Sequence, residues 1–404
     1  MLTLPPAFLC LPRTDHPVYP GLRRKLLLLA LRRFLTHPLH DLPGPLRASL
    51  QQARPALTRA VRRHRSAVLA QLAHPDVLAP LLCLEADTHP AARLLSQAGP
   101  ALLSRLALAR LLDEGVIWQG EVSALSTPPG LWRGQARALA ALPGHVELEL
   151  ADGSRRTLSE LPRTASSFAL GHGVELSLFD SNPLAMLEAH PDKQGNALDL
   201  GDHPVEQWVS ALTDALSLVE IGLPEWIAEL PLSLQRVVPV GYLPEVHLSA
   251  SYREAPGLAY LTLHPSTLTL AEALVHETQH SRLNVLTWLD PVLDNGWTEW
   301  TDSPVRPDLR PLMGVLLAVH AFVPVAALHA RLAHAGHPLA AGPDFDRRRT
   351  QVLAGNDHGL RILQARARPT AAGGRMLADL RRLHDNLLAL APTTALDDNA
   401  LPPG

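Results

Sequence analysis

Leu258-Ala259-Tyr260-Leu261-Thr262-Leu263, followed by Thr269-Leu270-Ala271-Glu272-Ala273-Leu274-Val275-His276-Glu277-Thr278-Gln279-His280, decides how this chain is read. The first run is short, apolar and set off by the Pro256-Gly257 turn, as a buried strand is. The second has helical spacing and opens on Thr269-x-x-Glu272, a capping-box pattern in which threonine and glutamate each satisfy an orphan amide. That helix is expected to run to about Leu289, short of Pro291.

Residues four apart on a helix share one face, so His276 and His280 can direct ring nitrogens at one metal ion. Glu277 sits about 100° around the helix, close enough to orient a metal-bound water or another ligand. Two ligands hold an ion weakly, so a third is sought. His320 is the first choice, because it shares an apolar helical face with Met313, Leu316 and Leu317; His329, nine residues on, reads as solvent-facing. Glu299, in Trp297-Thr298-Glu299-Trp300, is the carboxylate rival. A second metal-like pair, His145-x-Glu147, also fits any half-exposed strand, since alternation places His145, Glu147 and Glu149 on one face. Arg306 and Arg310, flanked by prolines in Ser303-Pro304-Val305-Arg306-Pro307-Asp308-Leu309-Arg310-Pro311, form a stiff segment able to offer guanidinium forks to a carboxylate. Their ordinary alternative is pairing with Asp302 or Asp308.

Further out, the chain divides into three parts and a tail. Residues 1–115 carry Leu, Ala and Arg at helical spacing, with prolines at 43, 45, 55, 75, 80 and 90 read as punctuation between short helices. Residues 116–200 look like a small β-rich unit, with strands expected at 116–118, 145–150, 155–158 and 174–179. Residues 201–395 form the part that carries the metal motif: a helix over 204–220, strands at 236–240, 247–252 and 258–263, the HExxH helix, and a further helix over 311–334 with Pro324 inside it. Residues 396–404 read as a frayed tail. The expected fold is α+β: an N-terminal helical bundle, a small β-rich middle unit, and a C-terminal zincin-like α+β domain, in which a strand leads directly into the HExxH helix. The edge of the 258–263 strand is where an extended peptide could be added.

Composition sets the outer bounds. Of the 404 residues, 47% are hydrophobic and 19% charged, which excludes a disordered chain. A formal charge of −3 argues against a nucleic-acid partner. The two cysteines, Cys10 and Cys83, cannot build a disulfide framework or a thiolate zinc site. The first twenty residues lack signal-peptide organisation, and apolar runs such as Leu26–Leu31 are too short for a bilayer. A soluble cytoplasmic protein without a membrane partner is the expectation.

The stretch Ser249 to Ala326 resembles the HExxH-motif family of peptide-modifying enzymes that act on ribosomally made peptides, the 2-oxoglutarate-dependent peptide β-hydroxylases. The matching text is HLSASYREAPGLAYLTLH, ALVHETQHSRLN and SPVRPDLRPLMGVLLAVHAFVPVA, with weaker similarity through Asp180-Ser181-Asn182-Pro183 and Val238-Pro239-Val240-Gly241. It departs from the pattern at Val305, where a tryptophan is expected, and at Leu317 and Ala318. The resemblance implies Fe(II) at the two histidines, 2-oxoglutarate as co-substrate, dioxygen as oxidant, and a precursor peptide hydroxylated at a side-chain β carbon. It also implies a task for Arg306 or Arg310, as partners for a 2-oxoglutarate carboxylate. The third ligand stays open between His320 and Glu299. The alternative is a zinc metallopeptidase in which Glu277 is the general base; His280 is followed by Ser281-Arg282-Leu283-Asn284, without the glycine and histidine of the extended HExxHxxGxxH motif.

Overall fold

The computed structural model describes residues 2–12, 17–128, 130–187, 189–190, 193–302 and 309–391, and shows a mixed α+β protein. The Leu/Ala-rich start forms α1 (Tyr19–Thr36), α2 (Gly44–Leu72), α3 (Pro75–Glu85) and α4 (Ala91–Leu108). Pro43, Pro75 and Pro90 stand at the N-terminal ends of α2, α3 and α4, where a missing N–H is harmless. Pro55 and Pro80 do not separate helices as expected; they lie inside α2 and α3. Burial of Ala53, Ala56 and Leu57 around one, and of Leu78, Leu81 and Leu82 around the other, outweighs the lost backbone bond.

Helices α2 and α4 pack on a four-stranded antiparallel sheet of β1 (Val116–Thr127), β2 (Gly130–Leu142), β3 (His145–Leu150) and β4 (Arg155–Thr157), in sequence order. The helix–sheet approach is close enough that a Cβ at Gly99 would strike the Trp118 indole. On β3, Val146 and Leu148 face the core while His145 and Glu147 face out, 3.5 Å apart. Among the described residues no further metal donor joins that pair.

Next come β5 (Ser167–Gly171), β6 (Val174–Ser177) and a small hairpin of β7 (Ala189–His190) with β8 (Lys193–Gln194). After α5 (Val205–Gly222) and α6 (Leu230–Ser233) follow β9 (Leu234–Tyr242), β10 (Ser249–Ala250) and β11 (Gly257–Leu263). The larger sheet runs β10-β11-β9-β6-β5, with β11 and β6 parallel to β9. Two expectations shift here. Strands β5 and β6 precede residue 200 yet pair into this sheet, so the boundary drawn there passes through it. Strand β11 has no free edge: it lies between β10 and β9, and all seven of its residues are buried. Among the described residues, the outer strand on that side is β10.

Helix α7 (Thr267–Thr287) follows β11; then β12 (Trp300–Thr301) pairs with β13 (Arg310–Pro311), and α8 (Leu312–His334), α9 (Pro343–Arg366) and α10 (Ala371–Ala389) complete the described chain. Helix α8, expected over 311–334, is long and apolar enough to cross a membrane by length and composition, unlike the short Leu26–Leu31 run, with a mean hydropathy of 2.0 over its best window. That window is 78% buried inside the protein, against α7, α9, α5 and α10. His329 is therefore not solvent-facing but fully buried, because no face of α8 is left free. One hydrophobic cluster links α1 to α4, both large sheets and α5 to α10. Cys10 and Cys83 are free and buried.

Candidate metal-binding site

Helix α7 is capped one turn earlier than the sequence suggests. Ser266 is its N-cap and its hydroxyl accepts from the Thr269 amide at 3.2 Å. Glu272 serves no cap. Its Oε1 lies 2.8 Å from His329 Nε2, and its Oε2 accepts from Arg348 at 2.6 and 2.9 Å. Burial pushes the Glu272 carboxyl up, but these partners outweigh it and hold it at about 2.

From Leu270 to Leu286 every residue of α7 is buried except two, His276 and His280. A helix wrapped on all sides thus opens along a single edge, and the two histidines of the HExxH segment line it. Their rings are 4.3 Å apart, inclined at 79°. Nδ1 of each is buried without a hydrogen-bond partner. Burial lowers the basicity of both rings, most for His276, where His280, Arg348 and His247 add to the effect. Both rings are therefore neutral at neutral pH, the form that offers a lone pair to a metal.

The flanks of this edge follow from helical geometry. At about 100° per residue, Gln279 falls roughly 60° to one side of His276 and Glu277 roughly 100° to the other. Helix α8 runs antiparallel along the Gln279 side: His320 meets Gln279, Phe322 meets His276 at 4.8 Å between ring centroids, and His329 meets Glu272. Strand β10 covers the Glu277 side, where Ser249 Oγ donates to Glu277 Oε1 at 2.6 Å. The second carboxylate oxygen, Oε2, is buried and unpartnered.

The structure brings together His276, His280 and Glu277 but does not gather the expected third ligand with them. Among the described residues, no three His, Cys, Asp or Glu side chains stand around one point at ligand distance. His320 is fully buried beside Gln279, whose amide nitrogen donates to the His320 carbonyl at 3.1 Å and lies 3.5 Å from its Nδ1. The Cys10 thiol reaches the same carbonyl at 3.8 Å, so this histidine belongs to the closed α7–α8 interface. Glu299 is committed elsewhere: Asn295 donates to it at 2.6 Å and Arg366 at 2.8 Å, and the Arg366 contact draws its carboxyl below the usual range. Arg310 is half-buried in β13, at the entrance to α8, with its side chain near Gly314. Arg306 lies outside the described residues. The donors present suit a metal in part: two neutral imidazoles with unsatisfied ring nitrogens, and a carboxylate beside them.

Sequence reasoning missed His247, Ser249, Phe322 and the Glu272–His329–Arg348 cluster. A signal existed for the first two, because both lie in the 247–252 stretch read as a strand, of which the structure forms Ser249–Ala250. No such signal pointed to the contact of Phe322 with His276, which depends on how α8 lies on α7. Comparison with protein-family profiles gives no match to this chain, and no curated protein sequence is significantly similar to it.

Proposed function

We propose that the chain is a metal-dependent enzyme working at the His276–His280 edge, an iron(II)- and 2-oxoglutarate-dependent hydroxylase of a peptide side-chain β carbon. The observation that carries the metal reading is the partial exposure of these two histidines within a stretch of α7, Leu270 to Leu286, that is otherwise buried, each with an unsatisfied ring nitrogen. Buried polar atoms in native proteins nearly always have partners, so an orphaned pair at an opening calls for a ligand. Iron(II), with 2-oxoglutarate and dioxygen, would supply the oxidising power to place a hydroxyl on an unactivated carbon.

The chain's own residues divide the remaining work. His276 and His280 would hold the ion, and so small a protein donor set suits a metal that must keep positions open for a chelating co-substrate. Glu277, fixed by Ser249, orients whatever lies beside the ion. Phe322 packs against the His276 ring, limiting its rotation and keeping water off that side. Arg310, with Arg306, is the candidate partner for the remote carboxylate of 2-oxoglutarate. The precursor peptide would add as a strand to the free edge of β10, next to Ser249 and hence beside Glu277.

A second reading is favoured by the unpartnered Glu277 Oε2, which is what a general base needs: a zinc peptidase in which Glu277 takes a proton from water. The two readings separate cleanly. In anaerobic protein reconstituted with iron(II), adding 2-oxoglutarate should produce a weak visible absorption band, and with air and peptide the sample should form succinate. His276→Ala and His280→Ala should each lose the metal and the band. Glu277→Gln should keep part of the succinate production but would end peptide hydrolysis altogether. Hydrolysis of peptide by the zinc form, independent of 2-oxoglutarate, would reverse the order of the two readings; stoichiometric metal in both histidine variants would defeat both.

A further inference from the structure

We infer that the groove between the outer strand β5 and helix α5 binds an extended peptide segment of another protein, added as a strand and carrying basic side chains four positions apart. The inference stands apart from the metal reading, because β5 and β10 are the two opposite outer strands of the larger sheet. The groove encloses about 690 Å³. One wall is β5, at Ser167, Phe168 and Ala169; the other is α5, from Val205 to Asp214. Thr213 Oγ1 donates to the Leu170 carbonyl at 3.4 Å and ties helix to strand at one end. Among the described residues β5 pairs with β6 alone, and the register sets which groups face the groove. The Leu178 amide donates to the Ser166 carbonyl at 2.8 Å, which makes Ser166 and Leu178 a hydrogen-bonded pair. Pairs alternate along an antiparallel ladder, so Phe168 and Leu176 form the next bonded pair, whereas Ser167 with Ser177 and Ala169 with Glu175 do not. The amides and carbonyls of Ser167 and Ala169 therefore point away from β6, at the free edge. These are the groups that an added strand uses.

Edge strands in native proteins are commonly blocked by charged side chains or proline. The outer strand β4 of the other sheet is guarded in this way by Arg155 and Arg156, but Ser167-Phe168-Ala169-Leu170-Gly171 carries neither device. The floor of the groove is apolar, from Phe168, Val205 and Val209, and its rim is acidic, from Glu206 and Asp214. Both carboxylates are exposed, and among the described residues no cation pairs with either. They are eight residues apart, about 12 Å along the helix axis, and four residues of an added strand span about 13 Å. Alternate strand residues share a face, so side chains at i and i+4 meet the two carboxylates while the one at i+2 lies over the apolar floor. The occupant that fits is a strand with a basic, an apolar and a basic residue at alternate positions. A second copy of this chain does not suit, because pairing β5 with β5 would bring the same carboxylates together. Nor does the C-terminal stretch 392–404, which holds Asp397 and Asp398 and no basic residue.

The probe is a fluorescein-labelled synthetic peptide, Thr-Lys-Thr-Val-Thr-Lys-Thr, whose binding to the full chain is followed by anisotropy. The same peptide with glutamate in place of both lysines should bind about tenfold more weakly or worse, and the gap should narrow in high salt. The double substitution Glu206→Lys with Asp214→Lys should reverse that preference. Ala169→Pro removes an outward amide where an edge strand tolerates proline, and should weaken the lysine peptide by about tenfold with little change in melting temperature. His276→Ala should bind the lysine peptide as the wild type does. The inference is overturned by absence of saturable binding, by equal binding of the glutamate peptide, by a preference that survives the double substitution, or by unchanged binding in a folded Ala169→Pro variant. Loss of binding in His276→Ala would place the peptide at the histidine edge and overturn it too. Self-association of the wild type that Ala169→Pro abolishes would assign the groove to a second copy, with the same consequence.

Discussion

Two buried polar regions of the molecule are built in opposite ways. Around Arg236 on β9, every guanidinium nitrogen has a partner: Nε lies 2.9 Å from Glu175, Nη1 2.8 Å from Asp76 and Nη2 3.3 Å from His74. Ser181 closes the group by donating to Asp76 at 2.6 Å. Along the open edge of α7, by contrast, His276 Nδ1, His280 Nδ1 and Glu277 Oε2 have none. Both regions hold charged or chargeable groups away from water, but among Arg236, Asp76 and His74 only Asp76 Oδ2 lacks a hydrogen-bond partner, and it lies 3.3 Å from His74 Nδ1. A network so nearly satisfied ties elements together: here α3 to β6 and β9. An unsatisfied set beside an opening is a stability loss within the chain alone, and makes sense where a ligand completes it.

The sharpest way to break this comparison is to remove one member from each region. Arg236→Met leaves Asp76 and Glu175 facing each other without their cation, and should lower unfolding free energy by about 3–5 kcal/mol. His280→Ala removes a group that contributes no hydrogen bond through Nδ1, and should stay within about 1 kcal/mol of the wild type while abolishing metal binding. Denaturant unfolding of the metal-free proteins measures both. Equal destabilisation by the two substitutions would show that the histidine edge is held together internally, and the distinction would be lost.

Acid sharpens the comparison next. Burial lowers His74 to about 3 and His384 to about 4, the latter fully buried in α10. Each folded value lies below the unfolded one of about 6.5, so the unfolded chain takes up the proton first and stability falls as pH drops below about 6.5. The slope approaches about 1.4 kcal/mol per pH unit for each such histidine, down to its folded value. Asp76 acts lower. Burial raises its carboxyl, Arg236 and His74 more than compensate, and the result is about 2. Its stabilisation is complete above about pH 4 and is lost toward about pH 2. Unfolding free energy should therefore decline in two stages, and Asp76→Asn should flatten the lower one only. A decline confined below pH 4 would mean these histidines are not neutral in the fold.

What the sequence made legible was local. The HExxH spacing, the β11 strand before it, the β3 strand over 145–150 and the helix ending at His334 could all be read from periodicity. What it concealed depended on contacts between distant segments. Glu272 has capping-box spacing but bonds to His329, 57 residues away, and Arg348, 76 residues away. His320 and His329 looked like inward and outward residues of an amphipathic helix, yet α8 is enclosed and both are buried. Glu299, read as a loop carboxylate free to bind metal, is captured by Arg366 from α9. The side chains flanking the histidine edge come from β10 and α8, and nothing periodic within α7 announces them.

The smallest expected effect tests whether the site's helix is held by its end or by its surroundings. If Thr269 and Glu272 formed a capping box, Thr269→Ala would cost about 1 kcal/mol and Ser266→Ala almost nothing. The Ser266 hydroxyl on the Thr269 amide predicts the reverse: about 1 kcal/mol for Ser266→Ala and a few tenths for Thr269→Ala. In either variant the cobalt(II) affinity should stay within about twofold of wild type, because His276 and His280 lie about three to four turns past the cap and their helix is packed by α5, α8 and β11. A cap substitution that weakened metal binding in proportion to lost stability would show that the histidine edge frays from its N-terminus. The open edge would then reflect a loosely held helix and not a site prepared for an ion.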